Sequence, residues 1–138
     1  MRSLLFAAVM FSAACNTGGT TGTDTDDTDV AAVATFARVE AEVIKPSCAF
    51  SICHGGGSSG GLSLTGDAAA DHAALVGVAS AGKPDETLVI AGDPDNSYLV
   101  KKLEDASGIT GDAMPSTGPL TDAQIQLVRD WIADGAKP

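Results

Sequence analysis

The segment Asn16 to Asp29 contains only Thr, Gly, Asp and one Asn. None of these residues can bury apolar surface, so the segment reads as a disordered tether rather than as part of a fold. It confines any packed domain to residues 30–138 and sets that domain apart from an N-terminus of a different kind. Of the aromatic residues, only Phe36, Phe50, Tyr98 and Trp131 fall after the tether. A domain of about 100 residues buries a modest share of its surface and is marginal without a disulfide, a metal or a cofactor. The core is short of one large apolar body.

The first residues have the order of a secretory signal: a basic start at Met1-Arg2-Ser3, an unbroken apolar run from Leu4 to Phe11, then the small residues Ser12-Ala13-Ala14. Residues 1–14 are assigned to it. The apolar run is too short to span a bilayer, which needs about 20 residues. Cys15 follows directly, an arrangement that resembles a bacterial lipoprotein signal, in which the Cys becomes the lipidated first residue of the mature chain. Ser12 stands where such signals usually carry Leu, and plain secretion with Cys15 at the boundary is the alternative. Either reading places the chain outside the cytoplasm, where disulfides persist. Residues 15–29 then form a lipid-anchored tether with a reach of roughly 20 Å. Asn16, where Asp would favour inner-membrane retention, leans toward the outer membrane. Asp24, Asp26, Asp27 and Asp29 lack the Gly and closing Glu of an EF-hand loop, so the acidic run is read as solvated chain.

Within residues 30–138 the expected elements are helices joined by long loops. Phe36, Val39 and Val43 make one apolar stripe in a helix from Val30 to Lys45, capped by Asp29 and stopped by Pro46. Gly55–Gly61 is a Gly/Ser-rich loop. Asp67–Val76 reads as a short helix. Leu88-Val89-Ile90 is a short extended piece, and no strand stands out. Asp93-Pro94 fits the start of a helix carrying Tyr98, Leu99 and Leu103 to about Asp105. Ser107–Pro119 is loop. Thr121 and Gln124 form a capping box for the last helix, with Leu120 stapling onto Ile125. Its inner face is Ile125, Val128 and Ile132, with Trp131 at the edge, and Gly135 ends it.

The chemistry gathers at Cys48-Ala49-Phe50-Ser51-Ile52-Cys53-His54. Cys-x-x-Cys-His is the attachment signature of c-type haem. Two thiols add across the vinyl groups and fix the ring, and the adjacent imidazole becomes the proximal iron ligand. Four residues separate these cysteines rather than two. The sixth ligand follows by elimination. Met1 and Met10 lie in the signal, which leaves Met114 in the Gly/Pro loop Gly111–Pro119. Pro115 biases it toward an extended backbone. A thioether is a soft ligand suited to haem iron.

Other readings compete. Cys48 and Cys53 can form a plain disulfide, which leaves His54 and Met114 unexplained. A zinc site of Cys48, Cys53, His54 and His72 lacks the paired spacing that wraps a tetrahedron. His72 is either a surface residue or a sixth haem ligand, and Met114 is otherwise a surface loop residue. Lys101 and Lys102 read as a solvated helix face, and Tyr98 and Trp131 as packing residues or as partners of a haem propionate.

Over about Thr35 to Ala136 the chain resembles a monohaem class I c-type cytochrome. The likeness rests on the N-terminal helix, the Cys-x4-Cys-His segment, the Met114-Pro115 loop and a C-terminal helix bearing Trp131. A wider Cys–Cys gap of this kind also occurs in some multihaem c-type cytochromes. The stretches Ala91–Leu99 and Trp131–Ala136 look like short cytochrome domains of bacterial lipoproteins. The resemblance implies an all-α, cytochrome c-like fold of about four helices wrapped around one covalent haem c. Cys48 and Cys53 would attach it, with His54 the proximal and Met114 the distal ligand. The first and last helices would cross, with Phe36 or Val39 meeting Val128, Trp131 or Ile132.

The implied function is electron transfer rather than catalysis. The two rivals are a haem-based sensor or ligand-binding module, and a haem-free, disulfide-stapled interaction domain. No Ser-His-Asp, Cys-His, phosphate-loop or dinucleotide pattern competes. With eighteen acids against eight bases, a formal charge of −10, binding nucleic acid through phosphate contacts is disfavoured. Redox partners with basic patches are favoured instead.

Overall fold

The computed structural model describes residues 33–138. The signal region, Cys15, the tether and the expected helix start at Asp29-Val30 lie outside the described residues.

The first helix, α1 (36–47), is capped by Thr35 and not by Asp29. Thr35 is extended (φ −106°, ψ 156°), and its Oγ1 accepts from Arg38 N at 3.3 Å. A start at Asp29 would have placed Thr35 inside the helix, where its hydroxyl competes for backbone groups. The helix is α over Phe36–Val39, π over Glu40–Ile44 and α again over Lys45–Ser47. Pro46 therefore does not stop it but sits in its last turn. Pro46 has no N–H to offer the Glu42 carbonyl, and Gln124 Nε2 donates to that oxygen at 2.9 Å from the far end of the chain. Phe36, Val39, Val43 and Ile44 are buried.

The second helix, α2 (Ala68–Leu75), is capped by Asp67, whose carboxylate accepts from Ala70 N at 2.9 Å. The third, α3 (Tyr98–Leu103), starts later than Asp93-Pro94 suggests. Ser97 Oγ donates to Asp93 O at 2.7 Å and accepts from Ile90 N at 2.9 Å. It thereby ties residues 93–97 into a turn instead of a helical one. The fourth, α4 (Asp122–Ala133), has the expected capping box: Gln124 N donates to Thr121 Oγ1 at 3.3 Å, and Thr121 N to Gln124 Oε1 at 3.1 Å. Leu127, Val128, Trp131 and Ile132 are its buried face, while Ile125 is half-buried. Trp131 is thus central rather than at the edge.

Between α2 and α3 lies an antiparallel hairpin that the sequence did not announce. Its strands, β1 (Ala79–Ser80) and β2 (Lys83–Thr87), pair Ala79 with Thr87 and Ser80 with Lys83. Leu88–Ile90 follows β2, and Val89 makes a parallel bridge to Val76. The hairpin is held by backbone pairing, and β2 carries no apolar side chain beyond Pro84. Pro84 is tolerated because the strand lies at an edge. Helix and a small sheet therefore coexist among the described residues.

α1 and α4 meet through aromatic rings. Phe36 lies 5.0 Å from Trp131 and 5.1 Å, edge-on, from His72 (ring centroids). His72 Nε2 donates to Ala136 O at 2.7 Å, and Trp131 Nε1 donates to Lys137 O at 2.7 Å. These contacts pin the C-terminus onto the core. His72 is accordingly a half-buried packing residue whose Nε2 is engaged by Ala136 O rather than turned toward the cavity.

Candidate functional site

α1 delivers Cys48. Its N–H donates to Ile44 O at 2.8 Å as the helix ends, and the chain then winds tightly. Cys53 N and Gly55 N both donate to Phe50 O, at 2.9 and 2.8 Å, and His54 N to Cys48 O at 3.3 Å. The winding is closest at Gly55, where a Cβ would stand 2.1 Å from Ala49 O. Only glycine fits there.

His54 is oriented by the returning chain. Its Nδ1 lies 3.1 Å from Leu62 O. A carbonyl only accepts, so Nδ1 carries the proton and Nε2 presents its lone pair. Leu64 N donates to His54 O at 2.8 Å, which fixes the same residue through its backbone.

Cys48 and Cys53 are both free thiols. Burial pushes the Cys48 thiol up to about 11, with Cys53 and Glu40 adding to the effect. A neutral sulfur in apolar surroundings is a poor thiolate ligand. Among the described residues no group of three or more His, Cys, Asp or Glu is arranged to hold a metal ion. His72, the fourth residue of the zinc reading, is engaged by Ala136 O.

Met114 is carried by a loop that α3 holds down. Met114 N donates to Lys102 O at 2.8 Å, and Lys102 Nζ donates to Thr110 O at 2.9 Å and to Asp112 O. Thr110 N donates to Tyr98 Oη at 2.8 Å, and Lys83 Nζ to Gly108 O at 2.7 Å. Lys102 is therefore a fastener for the methionine loop rather than a solvated helix charge, and Tyr98 serves the same loop. Lys101 is also engaged, donating to Glu86 Oε2 at 2.8 Å.

The threads converge on one cavity of about 240 Å³. Its walls are largely apolar, with Val39, Val43 and Ile44 from α1, Leu75 from α2, Leu99 and Leu103 from α3 and Val128 from α4. Cys48, His54 and Met114 border it, and Tyr98, Lys102, Thr110 and Asp112 supply polar groups. A second cavity of about 240 Å³ shares Cys48, His54, Ser59 and Met114 with the first and adds Cys53, Ile52 and Pro115. Cys48, His54 and Met114 thus border both cavities and Cys53 the second, so the four described site residues lie together, while Cys15 lies outside the described residues. This donor set fits a covalently held haem: two thiols, an imidazole nitrogen with its lone pair open, and a thioether, around apolar walls.

Four contributors escaped the sequence reading. Gly55 and Lys102 act through contacts that no motif encodes. Gln124 was read as a cap but also serves Glu42. Glu40 is 2% exposed. It lies four residues after Phe36 and three before Val43, squarely on the buried stripe, and that spacing was the available signal. No protein-family model matches this sequence, and no curated protein or solved structure matches it either.

Proposed function

We propose that this chain is an electron carrier of the c-type cytochrome class, with a cytochrome c-like fold built around one covalent haem c. The observation that carries the reading is the convergence of Cys48, Cys53, His54 and Met114, from two distant parts of the sequence, on a cavity that shares Cys48, His54 and Met114 with the apolar-walled one. When bound, the haem supplies one-electron chemistry. Cys48 and Cys53 would hold it as thioethers, whose sulfur is neutral and tolerates burial. His54 offers Nε2 to the iron, held in that tautomer by Leu62 O. Met114 offers its sulfur from a loop clamped by Lys102, and a Met/His pair raises the potential. With His54 and Met114 both holding the group, the chain would leave it no site for a substrate, which favours transfer over catalysis.

The acidic surface favours redox partners with basic patches, an attraction that weakens with salt. Cys15 carries the lipid anchor, facing the periplasm or the exterior with the outer membrane favoured. No helix among the described residues is long and apolar enough to cross a membrane.

The test is spectroelectrochemistry of the chain matured with a c-type haem ligation system. A reversible one-electron couple, six-coordinate in both states, with a far-red sulfur–iron band that Met114→Ala abolishes, is expected. A five-coordinate spectrum would favour the sensor, and survival of the band in Met114→Ala would mean another ligand is in use.

A further inference from the structure

Glu40 is the one group in the core whose chemistry the electron-carrier reading leaves unused. It is 2% exposed, and among the described residues its two carboxyl oxygens are the buried side-chain atoms without a hydrogen-bond partner. Asp71, fully buried on α2, adjoins it. The Asp71 carboxylate accepts from Thr65 N at 2.7 Å, Thr65 Oγ1 at 3.1 Å and Gly66 N at 2.9 Å. Two carboxyl groups buried side by side do not readily both ionise, because each charge is poorly solvated and repels the other. Glu40, with no donors, is the one whose neutral form burial favours.

We propose that Glu40, backed by Asp71, is a proton-binding site linked to the oxidation state of the haem, an inference that rests on the electron-carrier reading. Glu40 lies beside Val39, which borders the cavity, and its charge acts on the Cys48 sulfur. Added positive charge at the iron favours the Glu40 carboxylate. As one electron leaves for the partner redox protein, the Glu40 O–H bond breaks and its proton goes to water. When an electron returns from the partner, Glu40 takes a proton back.

The charges around it are few. Lys45 Nζ stands 3.9 Å from Glu40 Oε1, on the same helix and largely in solvent. Asp67 and Asp71 face it from α2 and its cap, and burial first and Asp71 next hold its pKa above the ordinary glutamate value against the pull of Lys45. On α4, Arg129 is engaged with Asp95 and Glu104 and Asp130 with Gln126 Nε2, while Asp122 is exposed at the start of the helix.

The experiment is a redox titration of the haem-loaded chain over a range of pH, for wild type, Glu40→Gln and Glu40→Asp. A proton affinity tenfold higher in the reduced state lowers the midpoint potential by about 59 mV across the titration. Glu40→Gln, which keeps volume but cannot ionise, should remove that component, and Glu40→Asp should retain one. Infrared difference spectra should show a protonated carboxyl band lost on oxidation in wild type and absent from Glu40→Gln. A stained, redox-active chain whose pH dependence is the same in wild type and Glu40→Gln overturns the proton site alone. A chain that carries no haem overturns both readings.

Discussion

Replacing Gly55 by Ala tests whether the winding before Leu62 sets the position of His54. The new Cβ would stand 2.1 Å from Ala49 O, 2.6 Å from Ala49 C and 3.0 Å from Phe50 C. All three are backbone atoms, so no side chain can rotate away. An ordinary C···O contact of about 3.3 Å requires a displacement of roughly 1.2 Å. That movement pulls on Gly55 N–Phe50 O, His54 N–Cys48 O and His54 Nδ1–Leu62 O. Overpacking costs about 1–3 kcal/mol, and each hydrogen bond lost about 1 kcal/mol. The smaller entropy of the unfolded alanine chain offsets roughly 0.4–1 kcal/mol. A net loss of about 2–3 kcal/mol is expected, on the sum of these terms. Gly57→Ala, in the same loop, is the control: its Cβ would meet Cys53 O at an ordinary 3.7 Å. Urea unfolding followed by far-ultraviolet circular dichroism, with the m-value held constant, gives the difference. Equal stability of the two variants would refute the argument that close backbone approach dictates glycine at position 55.

Gln124→Ala removes the side-chain acceptor for Thr121 N, half of the capping box, and the donor to Glu42 O, and should lower stability by about 1–2 kcal/mol in the same urea assay. Lys102→Met leaves the carbonyls of Thr110 and Asp112 without their Nζ donor; faster amide hydrogen exchange is expected in residues 107–119, with α4 unchanged. Glu40 is held above its ordinary value by burial first and by Asp71 next. Its neutral form is therefore favoured in the folded state, and its contribution is full at low pH and lost as pH rises through the raised value. Glu40→Gln should gain stability relative to wild type as pH increases, read from melting temperatures across a pH series; a constant difference would contradict this.

What the sequence disclosed and what it hid divide along physical lines. The start of α4 was legible because Thr121 and Gln124 satisfy each other's backbone groups within one turn. Cys48, Cys53, His54 and Met114 stood out as candidates because such residues are rare in this chain, and the structure places them near one another. The start of α1 was misplaced because Asp29 and Thr35 are both suitable caps, and local sequence does not rank them. The hairpin was invisible because its pairing is made by backbone atoms and β2 shows no apolar alternation. His72 was misread because its burial comes from Phe36 and Trp131, residues far from it in the chain. Lys102 belongs to the same class: its partners lie eight and ten residues ahead, in a loop with no pattern of its own.

The central claim is that Cys48 and Cys53 bind a haem covalently in the cavity that His54 and Met114 border. Its most direct test is the mass of the denatured chain after c-type maturation, read together with haem staining on a denaturing gel. The account predicts a stained band and a mass greater than the polypeptide by one haem, with the stain lost in the double variant Cys48→Ala/Cys53→Ala. An unstained chain at the bare polypeptide mass would contradict it.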